Sequence, residues 1–138
     1  MKSIFAASLL SAFLISCNSN TESQSSSINL PPGFKIEVYA SNIKNARSMV
    51  LSPNGVLYVG TRSEGNVYAL VDEDKDFKVD EVYNIASGLN MPNGVDIKDG
   101  DLYVAEVSRI IRFNDIDNNY KNEIEDFINY YNLYFLDN

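Results

Sequence analysis

The sequence predicts an all-β protein: about two four-stranded blades of a β-propeller, preceded by an export signal and one strand that stands apart. Two observations carry this. First, Ser41–Thr61 (SNIKNARSMVLSPNGVLYVGT) is repeated by Ser87–Glu106 (SGLNMPNGVDIKDGDLYVAE). Gly55, Leu57, Tyr58 and Val59 recur as Gly100, Leu102, Tyr103 and Val104, each 45 residues on, and Met49 and Leu51 recur as Val95 and Ile97. Second, each copy reads as a short apolar strand, a Gly-containing turn and a strand with alternating apolar positions. Gly and Asn supply the positive φ that tight hairpins need. A period of about 40–50 residues with several strands per repeat is the signature of propeller blades.

The N-terminus reads as an address. Lys2 precedes a twelve-residue apolar run, Ile4 to Ile15, too short to span a bilayer and suited to a signal-peptide core. Leu14-Ile15-Ser16-Cys17 resembles the bacterial lipobox, whose cysteine becomes the lipid-bearing first residue of the mature chain. Residues 1–16 are then a lipoprotein signal peptide, Cys17 the lipid attachment point, and the destination the bacterial cell envelope, either periplasm or outer surface. An ordinary secretory signal with a chance cysteine is the alternative. Cys17 is the only cysteine, so no intrachain disulfide is available. Residues 17–30 are polar and Ser-rich and read as a flexible tether. Pro31-Pro32-Gly33 opens the folded part, which runs to Asn138.

The strands follow in order. Phe34–Ala40 reads as a strand, because Glu37-Val38-Tyr39 matches Glu81-Val82-Tyr83, 44 residues on. It is a fourth strand with no first three before it, as ring closure by a borrowed strand requires. In the first blade the hairpin strands are followed by a third strand in Asn66–Val71 and a fourth in Asp80–Ile85. In the second blade Arg109–Phe113 is the third. Val, Ile and Tyr dominate these positions, which suits a half-buried pleated surface. The meanders are expected at about 47–85 and 93–135. The expected inward set is Met49, Leu51, Leu57, Val59, Val67, Ala69, Val95, Ile97, Leu102, Val104, Ile110 and Phe113. After Phe113 the pattern is mixed. Tyr120, Ile124, Phe127, Ile128 and Tyr131 fit a helical face, yet Ile128–Phe135 also reads as a fourth strand. A short helical turn followed by a strand is the expectation.

Charge bounds the partners. The chain carries 19 acidic and 11 basic residues, net −8, and loses one more positive charge if Lys2 is removed. Nucleic acid needs clustered Lys and Arg, so it is excluded as a partner class. Two blades cannot close a ring, so both ends of the stack are expected to present open strand edges.

The acidic run Asp72–Asp80 (DEDKDFKVD) places Asp72, Asp74, Asp76 and Asp80 at positions 1, 3, 5 and 9 of a calcium-loop pattern. Phe77 stands where that pattern has Gly, and Tyr83 where it has Glu. A solvated hairpin tip is the competing reading.

LPPGFKIEVYA, NARSMVLSPNGVLYVGTR, VYALVDEDKD, ASGLNMPNGV and LYVAEVSRIIRF together resemble the start of the sorbosone dehydrogenase family. These are relatives of the soluble glucose dehydrogenases that use pyrroloquinoline quinone (PQQ). The resemblance covers about residues 29–117. It implies a six-bladed propeller roughly three times this length, and a periplasmic or surface enzyme that oxidises sugars or aldoses. PQQ would be held by Ca²⁺ near the propeller axis, and a separate electron acceptor would complete the reaction. Arg47, Asn90 and Asn93, before the first strands of the blades, and Arg62 and Glu106, after the second strands, resemble the positions that line the family's mouth. They are the cofactor-binding candidates, and capping of their own loops is the competing role. The family's catalytic base is a His in a motif just after the second blade, and this sequence has no His. No catalytic residue is therefore assigned. The expectation is the N-terminal fragment of a lipid-anchored PQQ-dependent sugar dehydrogenase, inactive by itself and binding neither PQQ nor Ca²⁺ tightly. The alternative is a lipid-anchored binding or scaffold propeller without chemistry.

Overall fold

The computed structural model describes residues 28–122 and, as backbone, 128–132. The signal segment, most of the tether and Cys17 lie outside the described residues. Among those described, no helix is long and apolar enough to cross a membrane. The chain divides into two units at Ile36/Glu37. Of the first unit, Ile28–Ile36 is exposed and irregular, with one turn closed by the Phe34 N–H on the Pro31 carbonyl at 3.2 Å.

The second unit holds two antiparallel four-stranded meanders, β1-β2-β3-β4 and β5-β6-β7-β8. The first contains β1 (Ala46–Leu51), β2 (Leu57–Thr61), β3 (Val67–Val71) and β4 (Glu81–Ala86). The second contains β5 (Gly94–Lys98), β6 (Asp101–Ala105), β7 (Arg109–Phe113) and β8 (Ile128–Asn132). A one-turn helix, α1 (Ile116–Asn119), lies between β7 and β8, and Ile124 and Phe127 of the expected helical face lie outside the described residues. The β5–β6 hairpin turns on two residues, Asp99 and Gly100, with φ of 54° and 87°. That is the turn whose twist matches right-handed strands.

Register shows which faces meet. Val50, Tyr58, Ala69 and Tyr83 lie in one row of the first sheet. Val95, Val104 and Ile111 lie in one row of the second, and Ile97, Leu102 and Phe113 in the next. These two faces, with Val56, Val67, Val71, Ile85 and Ile116, enclose the core. The sheets approach closely at Gly60, where a Cβ would stand 2.3 Å from the Pro92 carbonyl oxygen and 2.9 Å from Val95 Cγ1. α1 crosses from one sheet to the other. The Ile116 N–H donates to Gly100 O at 3.0 Å, and the buried Tyr58 hydroxyl donates to Asp117 Oδ1 at 2.7 Å. Tyr83 and Tyr120 pack edge to face with centroids 5.3 Å apart.

Burial, and then the bond to Asp117, hold the Tyr58 phenol above its ordinary value of 10.0. An unfolded chain would release that proton first. Tyr58 therefore contributes stability that is complete below about pH 10 and declines as pH rises beyond it. The melting temperature is expected to fall above pH 10, and Tyr58→Phe to flatten that fall. Equal alkaline slopes in both chains would contradict the buried phenol.

Three expectations need correction. Phe34–Ala40 forms no strand. Its alternating Phe34, Ile36 and Val38 are 72%, 45% and 60% exposed, and the Val79 N–H donates to Tyr39 O at 2.9 Å. A strand needs a neighbour's ladder, and this segment takes part in none. Met49 and Leu51 are not inward but 60% and 64% exposed. With Leu57 and Val59 they lie on the face of the first sheet turned away from the second, while Tyr58, Ile111 and Ile116 are in the core instead. Ile110 is not inward either, since it lies with Gly94 and Ala105 in a row on the face of the second sheet opposite Val104 and Ile111.

Candidate functional site

In a meander, alternate turns lie at the same end. The β2–β3 turn (62–66), the β6–β7 turn (106–108), the β4–β5 connection (87–93) and the approach to β1 (41–45) are stitched together at one end of the sheets. Arg62 N–H donates to Asn45 O at 3.1 Å, Leu89 N–H to Gly65 O at 3.0 Å, and Val107 N–H to Asn90 O at 3.2 Å. All five cofactor-binding candidates belong to this end.

They divide by role. Arg47 and Arg62 are exposed, and Arg47 sits where the β1–β2 register shifts between Ala46 and Ser48. Such a bulge re-aims the side chain it carries. Asn90 is exposed and Asn93 half-buried, and the Asn93 N–H closes a tight turn on Met91 O at 2.7 Å. Glu106 is different. Its side chain is 1% exposed, and its carboxylate accepts the Asn90 N–H and the Arg109 Nε–H. This is a loop clamp. Thr61, 45 residues earlier, does the same for its own turn, with Oγ1 2.7 Å from Asn66 O and 2.9 Å from Asn66 N. The 45-residue offset was the available sign that Glu106 shares the task of Thr61.

Glu106→Ala is expected to cost about 2 kcal/mol, because it leaves the Asn90 N–H without its acceptor. Hydrogen exchange at Asn90 should quicken by about tenfold or more while the strands stay protected. Unchanged exchange there would show that the clamp does not order the loop.

The opposite end carries the acidic β3–β4 turn. Carboxylate oxygens of Asp72, Asp74 and Asp80 lie within 4.8 Å of one another. Asp76 is not in that group. Its N–H donates to Asp72 Oδ1 at 3.2 Å and Asp74 Oδ1 at 3.1 Å, and its own carboxylate takes the Lys78 N–H at 2.9 Å. Phe77 adopts φ 67° where the calcium pattern carries Gly, so the missing Gly does not stop the turn. Tyr83, at the position of the bidentate Glu, points its hydroxyl to Glu81. The turn thus has three convergent carboxylates, where Ca²⁺ takes six to eight oxygens. Two of them also serve the backbone, Asp72 Oδ2 accepting Phe77 N–H at 3.0 Å and Asp80 Oδ2 accepting Glu73 N–H at 2.8 Å.

No protein-family profile matches the chain, and no solved structure matches it. A protein of Borreliella burgdorferi (strain B31), described as uncharacterized, is 30% identical over 91 residues. The match takes in 64% of this chain and 22% of that protein, which is therefore more than four times as long as the aligned stretch.

Proposed function

We propose that this chain is the N-terminal part of a lipid-anchored, PQQ-dependent sugar or aldose dehydrogenase of the sorbosone type, built as a propeller and inactive by itself. The observation that carries the propeller part is the stack: two repeated meanders, face to face, in close approach at Gly60 of β2 and Val95 of β5. The alternating apolar pattern of Phe34–Ala40 suits a ring with further blades. The greater length of the Borreliella relative suits it too. The enzymatic part rests on the resemblance of residues 29–117.

The candidate end fits one side of an anionic cofactor. Arg47 and Arg62 are exposed guanidinium groups of the kind that grip carboxylates. Glu106 does not fit, since its carboxylate is occupied and would repel an anion. PQQ, when bound, supplies the redox chemistry by accepting two electrons from the sugar. With no His in the chain, none of the family's base is present here to take the substrate proton. The chain given PQQ and Ca²⁺ is expected to show no sugar-dependent dye reduction above a protein-free control with sorbosone or glucose, and to bind PQQ no tighter than about micromolar. Sugar-dependent turnover by this chain would overturn the inactive-fragment reading.

A lipid-anchored propeller that binds without chemistry is the second reading. It is favoured by the loop-clamp role of Glu106. Nucleotide sequence past Asn138 separates the two. A continuing frame with further 45-residue repeats and a His motif supports the dehydrogenase, and repeats without such a motif support the binding propeller.

A further inference from the structure

The outer face of the first sheet is the exact counterpart, by repeat, of a face that is covered elsewhere in the molecule. Met49, Leu51, Leu57 and Val59 correspond to Val95, Ile97, Leu102 and Val104. In the second sheet those residues pack under the first sheet. In the first sheet Val38–Ile43 covers Val59 and Leu70 and leaves a groove of about 480 Å³ beside Met49 and Leu57. Met49, Leu51, Val38 and Val82 stay 44–64% exposed.

A second copy offers two surfaces that could cover it. One is the outer face of the second sheet. There Asp96 and Arg112 occupy the places that Val50 and Ala69 hold in the covering sheet, in the row through Tyr103 and Tyr58 respectively. Docking that face would bury charge against apolar side chains, which is costly. The other surface is the same face of the second copy, which brings no charge to its centre. Its two ends also differ in sign. At the β3–β4 end stand Asp72, Glu73, Asp74, Asp76, Asp80 and Glu81 against Lys75, Lys78 and Lys121, the last with Nζ 4.0 Å from both Glu73 Oε1 and Glu81 Oε2. At the other stand Lys44, Arg47 and Arg62 against Glu64. A two-fold axis that makes the facing strands antiparallel sets the acidic end of each copy over the basic end of its partner. Isologous two-fold pairing is also the commonest closed arrangement.

We propose that the outer face of the first sheet is a dimer interface that packs on the same face of a second copy, antiparallel, with the Asp72–Asp80 turn over Lys44, Arg47 and Arg62. The proposal concerns the 138-residue chain and rests on the observed stack, independently of the quinone reading. Dye reduction by this chain, which would overturn that reading, and absence of a dimer, which would overturn this one, are separate results.

Sedimentation equilibrium of the full chain carrying Cys17→Ser tests it. A dimer is expected. Met49→Glu should raise its dissociation constant about 100-fold, because it buries a lone carboxylate. Arg47→Glu should raise it about fivefold, and adding Glu73→Lys to Arg47→Glu should restore part of that loss. Val82→Lys, on a different strand, gives an independent variant should Met49→Glu fail to fold. A monomer at all concentrations, or an association that neither Met49→Glu nor Val82→Lys weakens, overturns the proposal. The latter is what association through the apolar residues 4–15 would give. Larger oligomers broken by Tyr103→Glu would overturn the antiparallel geometry in favour of head-to-tail stacking.

Discussion

Gly60→Ala is expected to destabilise the two-sheet unit by about 3 kcal/mol, and Gly60→Val by more. The added Cβ would lie 2.3 Å from the Pro92 carbonyl oxygen, far inside contact distance, with Val95 Cγ1 at 2.9 Å. The nearest obstacle is backbone, which cannot rotate aside as a side chain can. Relief requires the β4–β5 connection to shift or the sheets to part, and parting them exposes the core around Tyr58, Val104 and Ile111. Domains are held by only about 5–15 kcal/mol, so a loss of this size shows plainly in a denaturant melt. A midpoint for Gly60→Ala equal to that of the parent would mean that the sheets do not approach here. The same substitution at Gly55 adds a Cβ that meets nothing within 4 Å, so any cost there comes from its φ of 92° alone.

Phe113→Ala is expected to cost about 3–5 kcal/mol. The ring is 0% exposed, on the inner face of β7, in register with Leu102 and in one cluster with Ile111 and Ile116. Its removal opens a void that neighbours in two sheets and α1 cannot fill together. Leu51→Ala is the matched comparison, because Leu51 is 64% exposed and should lose less than about 1 kcal/mol. Ile97, its repeat counterpart, packs against the core and should lose more when changed to Ala. If Leu51→Ala and Ile97→Ala destabilise equally in thermal melts, the assignment of inner and outer faces is wrong.

The candidate site was legible to different degrees. Motif spacing was enough to bring Asp72, Asp74 and Asp80 together, because the turn that joins them is local. It did not show that Asp76 would face Lys78, since one residue's direction depends on the φ of Lys75 and Phe77. The shared end of Arg47, Arg62, Asn90, Asn93 and Glu106 followed from strand alternation alone. That Glu106 is buried and clamped did not, because its partners are the Asn90 backbone, 16 residues back, and Arg109.

The sequence by itself determined the eight-strand repeat and its turns. These depend on local causes: period-two apolar spacing, and Gly, Asn or Asp where φ turns positive. It could not determine which side of each strand faces the core, because β2 is apolar on both. Leu57 and Val59 alternate with Tyr58, and composition favours neither side. Only the tertiary structure decided, by placing a second sheet against Tyr58 and leaving Met49 and Leu51 outside. The same holds for Phe34–Ala40, whose strand-like pattern becomes a strand only where another sheet gives it an edge. Local sequence sets the dihedral angles and the alternation, but burial and ladder bonds belong to neighbours distant in the chain.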